Sequence, residues 1–430
     1  MKDIEKFRNI FWEKKFQIFI VIFVIFSLYA KAVNYPVVHD DDQAMVINSY
    51  ETNRKFANIL KPFFVPATSS IYYRPLVESS FVIDAQFGGT DTTAYHITNI
   101  LFHITSVLLI YYLLVRLGYS QKSSFVACLF FSIHPLLTQG VAWISGRYDS
   151  LVTIFSLTSF HLFLSYLHKK KLSYLIGHYI FFIFALFSKE AALFIPLFSL
   201  YYLRFISKSI KIQKLSVNLI LGWLNMVLIW FFIRQSVLSK IPFWVDHSQI
   251  DLGFVVYTVV RNFSVVPIML GKVFFPQNLS VVMTIKDSSI LPGVIVLFVF
   301  LGLLYLVKSK RWSYIVFGSM WFLFPLILTL IAQNPDAPSA ANPNSQASYF
   351  FEHRIYFSLV GVLIIILEFT KKITINKIVS LLLIIYMTFL AGVTYHHIGN
   401  FSNKRMFWRN VAESSPSFWE IAKSHVLPLQ

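Results

Sequence analysis

The 430-residue sequence holds a single cysteine, Cys128, inside an apolar run. One thiol cannot close an intrachain disulfide, so a disulfide scaffold is excluded and the redox compartment is left open. Charge is scarce as well. Only 13% of the residues are Asp, Glu, Lys or Arg, against about a quarter in ordinary soluble domains. Strand-like alternation of apolar and polar residues is absent, which argues against a membrane β-barrel. No G-x-x-x-x-G-K-[ST] loop occurs, so nothing supports an ATP-driven pump, and no H-E-x-x-H pair marks a zinc protease. There is no internal repeat and no long Gly/Ser or Pro linker. The nearest is QNPDAPSAANPNSQAS, residues 333–348, which reads as a flexible loop.

What is present is apolar. Hydrophobic residues make up 56% of the chain, with 45 Phe and 22 Tyr. Long apolar runs recur from end to end, as expected of an all-α polytopic membrane protein. Spanning helices are expected near 16–33, 94–115, 123–139, 149–167, 174–188, 190–205, 215–238, 290–307, 313–332, 351–369 and 378–395, about eleven in all. No small-residue cleavage site follows Lys31, so the first run reads as a retained helix rather than a signal peptide. With the N-terminus inside, the inner segments are 1–15, 116–122, 168–173, 204–214, 308–311 and 370–377. They carry 20 of the 37 Lys and Arg in 51 residues, and only three acids. This is the positive-inside pattern. The net charge of +17 is thus a topogenic signal and not the footprint of a nucleic-acid partner.

That topology puts 34–93, 140–148, 239–289, 333–350 and the tail 396–430 outside. The domain reading is one transmembrane unit over 1–395, with a first outer loop at 34–93, a second at 239–289, and an outer C-terminal tail at 396–430. The first loop is expected to hold short interfacial helices. The apolar stretch 254–275 has both flanks outside, so it reads as re-entrant or interfacial; a true span there would break the parity.

Ionisable residues collect at the outer helix ends, where they are costly unless paired or functional. Asp40, Asp41 and Asp42 open the first outer loop, which also holds Asn48 and Arg74. His96, Asn99 and His103 follow at spacings of three and four, one face of a helix. The next loop brings His134, Gln139, Arg147 and Asp149. Lys189 and Glu190 form a turn. Glu352, His353, Arg354 and Tyr356 open the tenth helix. Each has a plain structural reading beside the functional one. Asp42 can cap a helix. Three aspartates can also hold a divalent metal. His134 before Pro135 can end a helix. Lys189 and Glu190 can pair with each other. His96 and His103 can be helix contacts rather than ligands.

An outward carboxylate beside cations and aromatics suits sugar transfer from a lipid phosphate. Arg and Lys would stabilise charge growing on the leaving phosphate. The carboxylate would take the proton of an acceptor hydroxyl as it attacks the anomeric carbon, with inversion.

The segments HDDDQAMVIN, YYRPLVESSFVIDAQFGG, YHITNILFH, HPLLTQGVAWISGRYDSL, FSKEAALFIPL and EHRIYFSLVGV resemble, in collinear order, the GT-C glycosyltransferases. Within them the chain looks most like the tetratricopeptide-containing transmembrane O-mannosyltransferases and their bacterial relatives. The resemblance implies an enzyme using a polyprenyl-phosphate-linked sugar donor and a protein or glycan acceptor. It places the catalytic acidic pair on Asp40 and Asp41, with Asp41 favoured as base, and a following Asn on Asn48. It matches a Tyr-Arg-Pro to Tyr73, Arg74 and Pro75, and a Gly-Arg-x-Asp to Gly146, Arg147 and Asp149. It matches Lys-Glu to Lys189 and Glu190, and Glu-x-Arg to Glu352 and Arg354. Arg74, Arg147, Lys189 and Arg354 are then the expected phosphate ligands. Asn48, His96, Asn99, His134, Asp149, Glu190, Glu352 and Tyr356 are the expected support. Two departures stand out. Gln139 occupies a position where relatives often carry Glu. The tail resembles the lead-in to a repeat array, but no array follows, so a protein acceptor is less secure. Localisation is expected in a bacterial inner membrane with the site outside. The rival readings are glycosylation of a lipid or polysaccharide by the same fold, and a polyprenyl-linked glycan flippase. A flippase should carry ionisable groups at mid-membrane in paired, broken helices.

Overall fold

The computed structural model describes residues 14–39, 42, 45–47, 56–65, 72–207, 212–240, 252–308, 310–331, 349–371, 373 and 376–418. The expected Asp40, Asp41 and Asn48 lie outside these residues. Most of the described residues are helical, joined by turns and short extended segments, and the strands among them form one two-residue pair, β1 (Met283–Thr284) antiparallel to β2 (Tyr349–Phe350).

The helices are α1 (Lys14–Tyr29), α2 (Pro75–Gly88), α3 (Thr92–Arg116), α4 (Gln121–Ser132), α5 (Tyr148–Lys169), α6 (Leu172–Leu186) and α7 (Ile195–Tyr201). They continue with α8 (Ile212–Leu238), α9 (Leu252–Asn262), α10 (Val265–Phe274), α11 (Leu291–Leu306), α12 (Trp312–Ile331), α13 (Leu359–Thr370), α14 (Lys377–Ile398) and α15 (Lys404–Ser414). Among the described residues, seven helical stretches are long and apolar enough to cross a bilayer, or eight if one bent pair counts as a span. Three shorter apolar helices, α6, α11 and α13, accompany them. The chain is thus a multi-pass, all-helical membrane protein.

Prolines account for two departures from the expected helices. The run 123–139 breaks before Pro135 and bends by 55° into Pro135–Ala142. The run 190–205 divides into a 3-10 turn (Glu190–Phe194), α7 and a π-turn (Tyr202–Ile206). Pro196 sits in the first turn of α7, where its missing N–H cannot continue a helix from upstream. The stretch 254–275 forms α9 and α10, and Gly253–Phe274 has the length and apolarity of a span. Its polar anchors lie at neighbouring helix ends. Asn262 donates to Leu330 O at 3.2 Å, and Lys272 pairs with Glu352 just before α13.

The core is aromatic. Trp321 of α12 is fully buried, stacked on Phe198 with centroids 4.5 Å apart and flanked by Phe160, Phe317 and Phe357. Helices α12 and α13 touch at small residues, as membrane helices tend to. A Cβ on Gly361 would lie 2.2 Å from Gly318 O, so any side chain must push the helices apart. Gly361→Val is expected to lower the yield of folded, monodisperse protein severalfold in detergent, read by fluorescence size-exclusion chromatography. A normal profile would show that the contact is dispensable. At the end of the bundle away from the ion pairs described next, Glu368 accepts from Arg311 Nε and Tyr119 Oη, both at 2.8 Å, tying α3, α12 and α13 together.

Candidate active site

Five segments meet at one end of the bundle, beginning with the loop that follows α1. His96 of α3 donates from Nε2 to Tyr35 O at 3.0 Å and holds that loop at its start. Asp42 is buried and accepts from both Ser145 N (2.9 Å) and Ser145 Oγ (2.7 Å). It therefore ties the acidic loop to a distant turn; the backbone groups it could cap lie outside the described residues. Burial raises its pKa, against the pull of Ser145 and His39.

The receiving turn, Ile144–Arg147, is itself braced. Asn99 donates to the carbonyls of Val141, Trp143 and Ile144 at 3.3, 2.9 and 3.2 Å. Gly146 is obligatory, because a Cβ there would lie 2.2 Å from Gln139 O. Arg147 is fully buried and turned into the protein. It pairs with Asp84 at 2.6 Å and donates to Asn99 Oδ1, Ser80 Oγ and Tyr95 O at 2.8–3.1 Å, with its plane 4.0 Å from the Phe81 centroid. All three of its nitrogens are bound to the chain and the side chain is fully buried, so this geometry supports a bracing role for Arg147 rather than contact with a ligand phosphate.

Lys189 and Glu190 are adjacent but do not pair with each other, contrary to the simplest expectation. Backbone direction sends them to different partners. Lys189 Nζ binds Asp149 Oδ1 at 2.6 Å, and Glu190 accepts from Arg74 Nη2 at 2.9 Å. Arg74 also lies over the rings of Tyr72 and Tyr148, 4.3 and 5.1 Å from their centroids. Burial lowers the Lys189 pKa despite Asp149. Burial raises that of Glu190, but the charge and hydrogen bond of Arg74, a backbone N–H and Lys189 together outweigh it, and the net shift is downward. Arg354 lies against Phe350 and Phe351 and repels charge on both Lys189 and His353. Arg74, Lys189 and Arg354 thus share one electrostatic neighbourhood.

The other expected residues hold the frame. His134 caps the turn Pro135–Leu137 by accepting from Leu136 N, and its Nε2–H donates to Val273 O at 2.9 Å. His103 donates from Nε2 to Ser132 O and accepts from Tyr356 Oη at 2.6 Å, a buried helix contact. Glu352 pairs with Lys272 and accepts from Ser280 N at 3.2 Å. No group of three or more His, Cys, Asp or Glu at metal-binding spacing occurs among the described residues.

Several participants escaped the sequence reading. Asp84 and Lys272 are the buried counterions of Arg147 and Glu352. Glu78, in the first turn of α2, has its pKa pushed up to about 7 by burial, with Arg74 opposing. His353, which the sequence marked only as an ionisable group at a helix end, donates from Nδ1 to Gln139 Oε1 at 2.8 Å, and its Nε2 lies 3.5 Å from Asp149 Oδ2. Only an acidic residue beside Tyr-Arg-Pro hinted at Glu78; Asp84 and Lys272 have no local signal. The tail helix α15 completes the wall. Phe407 and Trp408 face His39, which also faces Trp143. Apart from these residues, an apolar cavity of about 450 Å³ opens among α10 to α13, lined by Leu270, Phe274, Phe300, Leu323 and Ile366 among others.

The family described as dolichyl-phosphate-mannose-protein mannosyltransferase matches residues 82–232, the stretch that supplies Asp84, Arg147, Asp149 and Lys189. This chain resembles the GT-C glycosyltransferases. Among curated proteins it is 32% identical over 130 residues to Protein O-mannosyl-transferase Tmtc1 of Drosophila melanogaster, covering 29% of this chain and 15% of that one. It is 35% identical over 98 residues to Protein O-mannosyl-transferase TMTC3 of Homo sapiens, covering 23% and 10%. It is 30% identical over 170 residues to Protein O-mannosyl-transferase TMTC4 of Mus musculus, covering 35% and 22%. The match thus spans less than a quarter of each relative's length.

Proposed function

We propose that this chain is a mannosyltransferase-like glycosyltransferase. It moves a sugar from a polyprenyl-phosphate donor to a hydroxyl acceptor by inverting displacement. The observation that carries this reading is the clustering of Arg74, Lys189 and Arg354 around the His353–Asp149 pair, beside the loop anchored by Asp42. Cations so placed can neutralise the charge that develops on a leaving phosphate. Asp41 acts as base, with Asp40 as its neighbour. Asp40, Asp41 and Asp42 are also the carboxylates that would hold a divalent metal. The apolar cavity among α10 to α13 suits the isoprenoid tail of the donor. The site faces outward from a bacterial inner membrane, with the N-terminus cytoplasmic.

The deciding experiment incubates membranes carrying the chain with radiolabelled polyprenyl-phosphate hexoses and follows the label. Label appearing in protein, lipid or polysaccharide supports the transferase and names the acceptor class. Label that crosses the bilayer still lipid-linked supports a flippase instead. Arg354→Gln is expected to raise the KM for the donor by about ten- to a hundredfold, the scale of one hydrogen bond to a charged group. An unchanged KM would remove Arg354 from the phosphate site.

A further inference from the structure

Gln139 stands where the resemblance expects Glu, and its amide settles the state of His353. The Gln139 Nε2–H donates to Val281 O at 2.8 Å, and a carbonyl can only accept. The amide oxygen is therefore turned toward His353, 2.8 Å from its Nδ1. That oxygen also only accepts, so His353 carries a proton on Nδ1. A neutral ring then presents a bare Nε2.

The bare Nε2 faces Asp149 Oδ2 at 3.5 Å. Asp149 Oδ1 is engaged by Lys189, while Oδ2 is buried with no hydrogen bond. A second proton on the ring would relieve the opposed lone pairs. Its surroundings resist that. Burial comes first, and Lys189, Arg354 and Arg74 add to it; Asp149 alone favours the charge. Together they push the His353 pKa down to about 3. Two buried acceptors facing each other are costly unless a donor satisfies them. Adjacent hydroxyls of a pyranose have a spacing close to that of these two atoms, so each can donate to one. Trp143 borders the pair, its ring 5.8 Å from that of His353, and its buried Nε1–H has no acceptor among the described residues. Acceptors, a spare donor and an aromatic wall together make a set that suits a sugar.

We propose that His353 Nε2 and Asp149 Oδ2 form a seat for two adjacent hydroxyls of the donor sugar, and that Gln139 is the positioning residue that keeps His353 in the accepting form. The identity of the ligand rests on the transferase reading. The seat predicts specificity for the pattern of hydroxyls on the sugar, whichever acceptor is used.

The test uses the full chain in lipid nanodiscs and reads binding by tryptophan emission, which Trp143 reports without turnover. The probes are a polyprenyl-phosphate hexose, its monodeoxy analogues and polyprenyl phosphate itself. Native protein should bind the analogues lacking either of two neighbouring hydroxyls at least tenfold more weakly than the parent. His353→Asn keeps a donor toward Gln139 but removes Nε2, and should abolish that discrimination. Gln139→Glu places a carboxylate on Nδ1, favours the imidazolium and should abolish it too. In parallel, ¹⁵N spectra of histidine-labelled native protein at pH 7 should lose a neutral Nδ1–H signal on His353→Asn. Equal discrimination in native and His353→Asn protein would overturn the seat. So would a His353 signal of the imidazolium or Nε2–H type, or no binding of any hexose lipid. Selective binding without transfer to any acceptor would sink the transferase reading and leave the seat standing.

Discussion

Asp41→Asn is expected to lower sugar transfer by about 10²–10⁴-fold at saturating donor, the range for a lost general base. Asn keeps the shape of Asp but cannot take the acceptor's proton. Binding of the donor should change little, so the loss should fall on kcat rather than KM. The assignment gains from the fate of Asp42. That carboxylate is buried and bound twice by Ser145, so the proposed base is sought among its neighbours. Asp42→Asn should therefore reduce the amount of folded protein more than the turnover of what folds. Single-turnover rates for Asp40→Asn, Asp41→Asn and Asp42→Asn at matched expression separate the three roles. A full loss in Asp40→Asn with native rates in Asp41→Asn would move the base by one residue. Native rates in both would end the case for a base in this loop.

The helical architecture was legible because spanning helices need long apolar runs, which are a local property of composition. The breaks at Pro135 and Pro196 follow from the chemistry of proline, yet the apolar runs around them masked where the helices would stop. The gathering of polar residues was legible for a similar reason, since charge stands out against so apolar a background. Which charge pairs with which was not. Lys189 and Glu190 are neighbours in sequence, but their partners lie on α5 and just before α2. Lys272 looked like one basic residue in an apolar stretch until Glu352, 80 residues on, was found against it. His353 stood out as an ionisable group at a helix end, but its partners were hidden more deeply. Its role depends on the direction of the Gln139 amide, which is set by the carbonyl of Val281 in a remote loop. Partners of this kind are properties of packing, and periodicity carries no trace of them.

Arg147 shows what that difference means for mutagenesis, because the motif that singles it out suggests a ligand contact and the packing suggests a brace. Arg147→Met is expected to destabilise the folded chain by about 3–5 kcal/mol, since it leaves Asp84 buried without its counterion. The measurable result is loss of folded protein in detergent and a fall in thermal midpoint of what remains, in the presence or absence of donor. A phosphate ligand would behave otherwise: its loss would spare stability and raise the donor KM. The paired change Arg147→Met with Asp84→Leu removes both charges together. It should recover a substantial part of the lost stability, as apolar replacement of a buried ion pair often does. Recovery of folding with donor affinity close to native would fix Arg147 as the brace of the Ile144–Arg147 turn. Recovery of folding without donor affinity would return it to the phosphate site, and the path from Arg147 through that turn to Ser145 and Asp42 would no longer account for its burial.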